Sequence, residues 1–116
     1  MACRLLCPSQ HWEEIMRKER KQFFIRLIPP RASFTMDITE PEKAIMQEHA
    51  AYWQKLLRKN IAVAFGPVFD PKGGYGIGIV EVMDENEARE IMAHDPTIKA
   101  GQDFSFEIHA MKLVRK

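Results

Sequence analysis

The chain has 116 residues, 46% of them hydrophobic, which is enough for one compact core and short for two. Its formal charge is +1, with 17 bases interspersed among 16 acids, so composition supplies neither a basic footprint for nucleic acid nor a funnel for acidic substrates. No apolar run approaches the roughly 18–20 residues that span a bilayer.

Both cysteines, Cys3 and Cys7, sit near the N-terminus, which rules out a disulfide framework and points to a reducing cytoplasmic setting. The apolar stretch Met1 to Cys7 lacks the basic flank, long apolar region and cleavage site of a secretory signal. Residues 1–22 read as an N-terminal extension ending in the charged run Arg17-Lys18-Glu19-Arg20-Lys21. Ser9 is placed to cap a short helix from Gln10 to Lys18, with Trp12 and Ile15 three apart. Trp12-Glu13-Glu14 requires purine-rich codons that resemble a bacterial ribosome-binding sequence upstream of Met16. Translation is therefore expected to start at Met16, and residues 1–15 to be dispensable for folding. Cys3, Cys7 and His11 follow an i, i+4, i+8 spacing, but a structural zinc takes four ligands and Pro8 breaks the helix. No metal or other cofactor is expected.

Residues 23–116 read as one domain. Phe23 to Ile28 is rich in β-formers and stops at Pro29-Pro30, giving a first strand. A long loop follows, in which Phe34 and Met36 are candidates for a pocket entrance. Thr39 and Glu42 have capping-box spacing, and Pro41 suits a first helical turn. Ile45, Met46, His49, Trp53, Leu56 and Leu57 then recur along one helical face, with Lys55, Arg58 and Lys59 toward the C-terminal dipole and Asn60 as the stop. Strand two is expected over Ile61 to Phe65, ending at Gly66-Pro67. Asp70-Pro71-Lys72-Gly73-Gly74 is a turn, and Tyr75 to Met83 alternates as strand three. Asp84 and Glu87 open a second helix through Ala88, Ile91 and Met92, which closes before Asp95-Pro96. Beyond Gly101, Phe104 to Leu113 forms the last strand.

The order is βαββαβ, an α+β fold of ferredoxin-like type. Two helices cover one face of such a sheet. Apolar residues on both parities of strands one and three therefore predict a homodimer that covers the other face.

Few residues carry the spacing of chemistry. Gly74, Gly76 and Gly78 form GxGxG before a strand, so the helix N-terminus of a phosphate loop is missing, and close approach of a neighbour to the strand is the better reading. His49, central on the apolar helical stripe, reads either as a packed histidine satisfied by a hydrogen bond or as a general acid–base in an apolar pocket. His94 falls on the polar side of helix two. His109 has the strand parity opposite to Phe104, Phe106 and Ile108. Asp95 closes helix two, where a carboxylate opposes the dipole; a turn-forming Asp-Pro is one explanation and a functional constraint the other. Asp70 is either a turn residue or a pocket-rim carboxylate. Arg26 is either a solvated strand residue or the partner of a substrate carboxylate.

His49-x-x-Tyr52-x-x-x-Leu56, Ala64-Phe65-Gly66-Pro67-x-x-Asp70, Gly76-Ile77-x-Ile79-x-Glu81 and Asp95-Pro96-x-x-x-Ala100-Gly101 occur in this order. Together they resemble the YCII-related (YciI-like) family over about residues 23–114. That resemblance implies a dimeric α+β barrel, similar to muconolactone isomerase-like and dehydrochlorinase-like enzymes, with His49 and Asp95 at the positions of the family's active-site pair. It implies proton transfer by His49 on a small, partly apolar organic acid, as an isomerase or lyase. Tyr52, Trp53, Phe65, Gly66, Pro67, Asp70 and Arg26 are the candidates for binding that small-molecule ligand. The alternative is a non-catalytic ligand-binding or assembly module of the same fold. The extension before Phe23 and the long Pro29–Thr39 loop depart from the family pattern.

Overall fold

The computed structural model describes residues 20–116. The helix expected over Gln10 to Lys18, the Cys3/Cys7/His11 spacing and the start at Met16 lie outside the described residues. Four strands and four helices follow in chain order: β1 (Lys21–Ile28), α1 (Phe34–Asp37), α2 (Glu40–Arg58), β2 (Ala62–Val68), β3 (Tyr75–Val82), α3 (Glu85–Ala93), α4 (Pro96–Lys99) and β4 (Ser105–Met111). The strands form one antiparallel sheet in the order β2-β3-β1-β4. This is the ferredoxin-like α+β arrangement expected from the sequence.

Strand register decides which residues meet the helices. Phe23, Ile25 and Leu27 stand opposite Val80, Gly78 and Gly76 on one side and Ala110, Ile108 and Phe106 on the other. All share one face of the sheet, because side chains alternate along a strand. Trp53 and Leu56 from α2 and Ala88 and Met92 from α3 pack onto that face and close the core. Trp53 lies directly on Gly78: a Cβ there would stand 2.5 Å from the indole Cη2. The glycine expected to admit a close neighbour admits this ring.

The caps follow the sequence. The Thr39 side chain accepts from the Glu42 amide, and the Glu42 carboxylate accepts from the Thr39 amide, the reciprocal capping box. Asp84 caps α3 by accepting from the Glu87 amide at 2.9 Å. Asn60 ends the α2 connection in a left-handed conformation, φ 61°.

Several expectations change, among them the last strand, which runs over Ser105–Met111 and not from Phe104 to Leu113. Strand two does not stop at Gly66-Pro67 but continues to Val68. Pro67 is tolerated because β2 is an edge strand, where a missing amide donor leaves no central ladder broken. The Pro29–Thr39 segment is not all loop, since Phe34–Asp37 forms a helical turn. Arg31 holds it in place, pairing with both Glu42 oxygens at 2.8 Å and with Asp37 Oδ1 at 2.7 Å. Phe34 is thereby buried, whereas Met36 is 89% exposed and takes no part in the core. Strand one also begins two residues earlier than expected, at Lys21.

Among the described residues, no helix is long and apolar enough to cross a membrane.

Candidate functional site

His49 projects from the middle of α2 toward the end of α3. There α3 stops at Ala93, and Asp95 begins a new turn as N-cap of α4, with Pro96 at its first position. The Asp95 carboxylate is fully buried and accepts from the Thr97 amide at 2.9 Å and the Thr97 hydroxyl at 2.7 Å. Its position is thus not dipole-opposed, as the sequence suggested. The carboxylate belongs to the N-terminus of the following helix, where an anion is favoured.

Two further donors converge on Asp95. Trp53 Nε1 donates to Oδ2 at 2.7 Å, and His49 Nδ1 lies 2.9 and 3.0 Å from the two oxygens. Burial pushes the carboxyl pKa up, but the hydrogen bond and charge of His49, then the Trp53 and Thr97 hydrogen bonds, outweigh it and hold the pKa below the usual carboxylate value. An ionised carboxylate is acceptor-only, so Nδ1 carries the proton that bridges the pair. When the ring is neutral, Nε2 keeps its lone pair and can accept a hydrogen bond or a proton from a ligand.

A cavity of about 240 Å³ opens beside that ring. Met46, His49 and Ala50 of α2 form one wall, and Phe34 and Thr35 of α1 another. Leu27 and Gly76 of the sheet form the floor, while Phe65 to Phe69, at the end of β2, reach its mouth. Phe34 and Phe104 meet edge-to-face at 5.4 Å, fixing the aromatic wall. A half-buried imidazole, oriented by a buried carboxylate and lining an apolar cavity, is an arrangement that general acid–base chemistry uses.

A family model of the YCII-related domain matches residues 22–112, more than half of the chain. The chain belongs to the YCII-related family. No curated protein sequence matches it at a significant level.

In this YCII-related domain the candidate residues divide by place. His49, Phe65, Gly66 and Pro67 line the cavity. Trp53 touches Asp95 rather than the cavity, and its ring stacks near Phe65 with centroids 5.9 Å apart. Tyr52 donates its hydroxyl to the Ile91 carbonyl at 2.7 Å; burial, with the Asp95 charge, pushes its pKa up to about 12. It ties α2 to α3. Asp70 is a turn residue, accepting from the Lys72 amide at 2.8 Å. Arg26 lies on the opposite sheet face, over the Tyr75 ring at 4.2 Å and 4.0 Å from Glu107. His94 bonds within its own helix end, to the Glu90 carbonyl, and His109 is exposed beside Glu107.

Sequence reasoning missed Thr97, although Asp-Pro-Thr is a readable N-cap with proline at the first helical position. It also missed Phe69 and Phe104 as cavity residues, for which no local signal exists. Among the described residues, no cluster of three His, Cys, Asp or Glu side chains is placed to hold a metal.

Proposed function

We propose that this chain is a small acid–base enzyme in which His49, oriented by Asp95, transfers a proton on a small, largely apolar organic molecule. The observation that carries this reading is the His49 Nδ1 contact with a buried carboxylate beside an apolar cavity. Nε2 takes a proton from a carbon made acidic by an adjacent carbonyl or unsaturated bond. Returning it at another carbon completes an isomerisation; expelling a leaving group as the C–H electron pair becomes a double bond completes an elimination. Asp95 stays ionised and steadies the imidazolium that forms. The test is solvent exchange in D2O with monocyclic lactones, enones and chlorinated aromatics, each in acid and uncharged forms. Deuterium incorporation or product formation that His49→Gln abolishes supports the reading. Saturable binding without either leaves the domain as a ligand-binding module.

We infer also that the chain works as a homodimer through the sheet face that α2 and α3 leave bare. Phe24, Ile77, Ile79 and Met111 share that face by register, with Arg26, Glu107 and His109 as its polar strip. A stable monomer in sedimentation at micromolar concentration overturns this.

A further inference from the structure

We infer that the His49 cavity receives an uncharged monocyclic molecule carrying one hydrogen-bond donor, as in a phenol or an enol, rather than a carboxylate. The inference rests on the reading of this cavity as the ligand site and specifies the chemistry of its ligand.

Size and shape set the ring. An apolar cavity of about 150 Å³ takes one benzene, so about 240 Å³ admits a single ring with one or two small substituents. The walls suit it: Phe34 and Phe104 present an edge-to-face pair, and Phe65 is held against Trp53. Aromatic walls of this kind favour a flat ring by offset or edge contacts.

Charge argues against an acid. His49 and Tyr75 are the only titratable residues among the described cavity residues, and the Tyr75 ring lies against Arg26 on the other sheet face. Arg26, the natural partner for a substrate carboxylate, is therefore turned away from the cavity. Behind His49 stands the buried Asp95 carboxylate, already supplied with its donors. A carboxylate ligand would lose its water against apolar walls and face this negative charge across one imidazole, a cost that apolar contacts do not offset. A ligand hydroxyl has a partner instead. With Nδ1–H committed to Asp95, Nε2 of the neutral ring accepts, so a polar group set against it must donate.

The mouth supplies a selectivity element. Phe69 lines the cavity and is yet 84% exposed, so its ring has apolar surface free to close against a bound ring. That contact withdraws from water the apolar area of both partners.

The experiment titrates the full chain at about pH 8 with p-cresol, 4-methylanisole and benzoate, following backbone amide and His49 ring shifts by NMR. At that pH benzoate is fully ionised and p-cresol is not. The expected result is shifts at His49, Phe65 and Phe69, with p-cresol binding at least about tenfold tighter than benzoate. It should also bind severalfold tighter than 4-methylanisole, which lacks the donor. Phe69→Ala, at an exposed position that leaves the core unchanged, should weaken p-cresol severalfold while preserving the spectrum elsewhere. Benzoate or 4-methylanisole binding as tightly as p-cresol in the same cavity overturns the ligand class and leaves the site standing. Shifts that avoid the cavity for all three overturn both.

Discussion

Replacing Gly78 by alanine puts a methyl group where the structure has an indole. The new Cβ would stand 2.5 and 2.6 Å from Trp53 Cη2 and Cζ3, far inside the 3.5–4.0 Å of a favourable carbon contact. The ring has little freedom to yield. It is 2% exposed, packed near Phe65 and tethered through Nε1 to Asp95 at 2.7 Å. Overpacking of this kind costs about 1–3 kcal/mol. Removing a glycine from a strand returns about 0.5–1 kcal/mol through the unfolded chain. The net loss is then up to about 2.5 kcal/mol, or up to roughly 12 °C in Tm for a domain of this size. If the ring moves instead, it leaves Asp95, and the carboxylate keeps only His49 and the Thr97 hydroxyl as side-chain partners. Urea denaturation followed by circular dichroism gives the stability, and the near-ultraviolet spectrum reports the tryptophan. Gly66→Ala is the control, because a Cβ there meets nothing within 4 Å; it should be neutral or slightly stabilising. A Gly78→Ala protein as stable as wild type with an unchanged tryptophan signal refutes the packing argument.

Acid should weaken the fold through two carboxylates. The folded-state pKa of Asp95 lies below its ordinary value, so its contribution is complete above about pH 4 and is lost as pH falls through the folded value. Glu42, held down to about 2 chiefly by its Arg31 hydrogen bond, acts the same way between its usual 4.5 and about 2. Asp95→Asn should lower stability at neutral pH by on the order of 3 kcal/mol and flatten the acid limb of the denaturation midpoint. An unchanged limb refutes the assignment. Tyr52→Phe leaves the Ile91 carbonyl without its donor and should cost about 1 kcal/mol, and carbon-13 NMR of the wild-type ring should find the phenol titrating near 12. Arg31→Ala should release α1, seen as faster hydrogen exchange at the Phe34, Met36 and Asp37 amides with α2 beyond its first turn unaffected.

The sequence by itself determined the βαββαβ order, because the signals for it are local. Strands one and three show period-two runs, and α2 and α3 open with capping residues at their proper spacing. It also singled out His49 and Asp95, one by its place on an apolar stripe, the other by its awkward place before Pro96, and both through the family resemblance. It misjudged why Asp95 is there, since one carboxylate can end a helix or cap the next, and only the chain path after Ala93 distinguishes them. Tertiary structure alone decided what surrounds the pair. The Thr97 contact with the carboxylate is local, but Trp53 reaches it from 42 residues away, and no local pattern encodes that meeting. Strand parity was legible for Arg26, but which parity faces the helices depends on how the sheet is covered, and that turned Arg26 away from His49. The cavity is likewise a product of packing: Phe34, Phe69 and Phe104 come from three segments, and their rings enclose a space only because the sheet order brings those segments to one end of the fold.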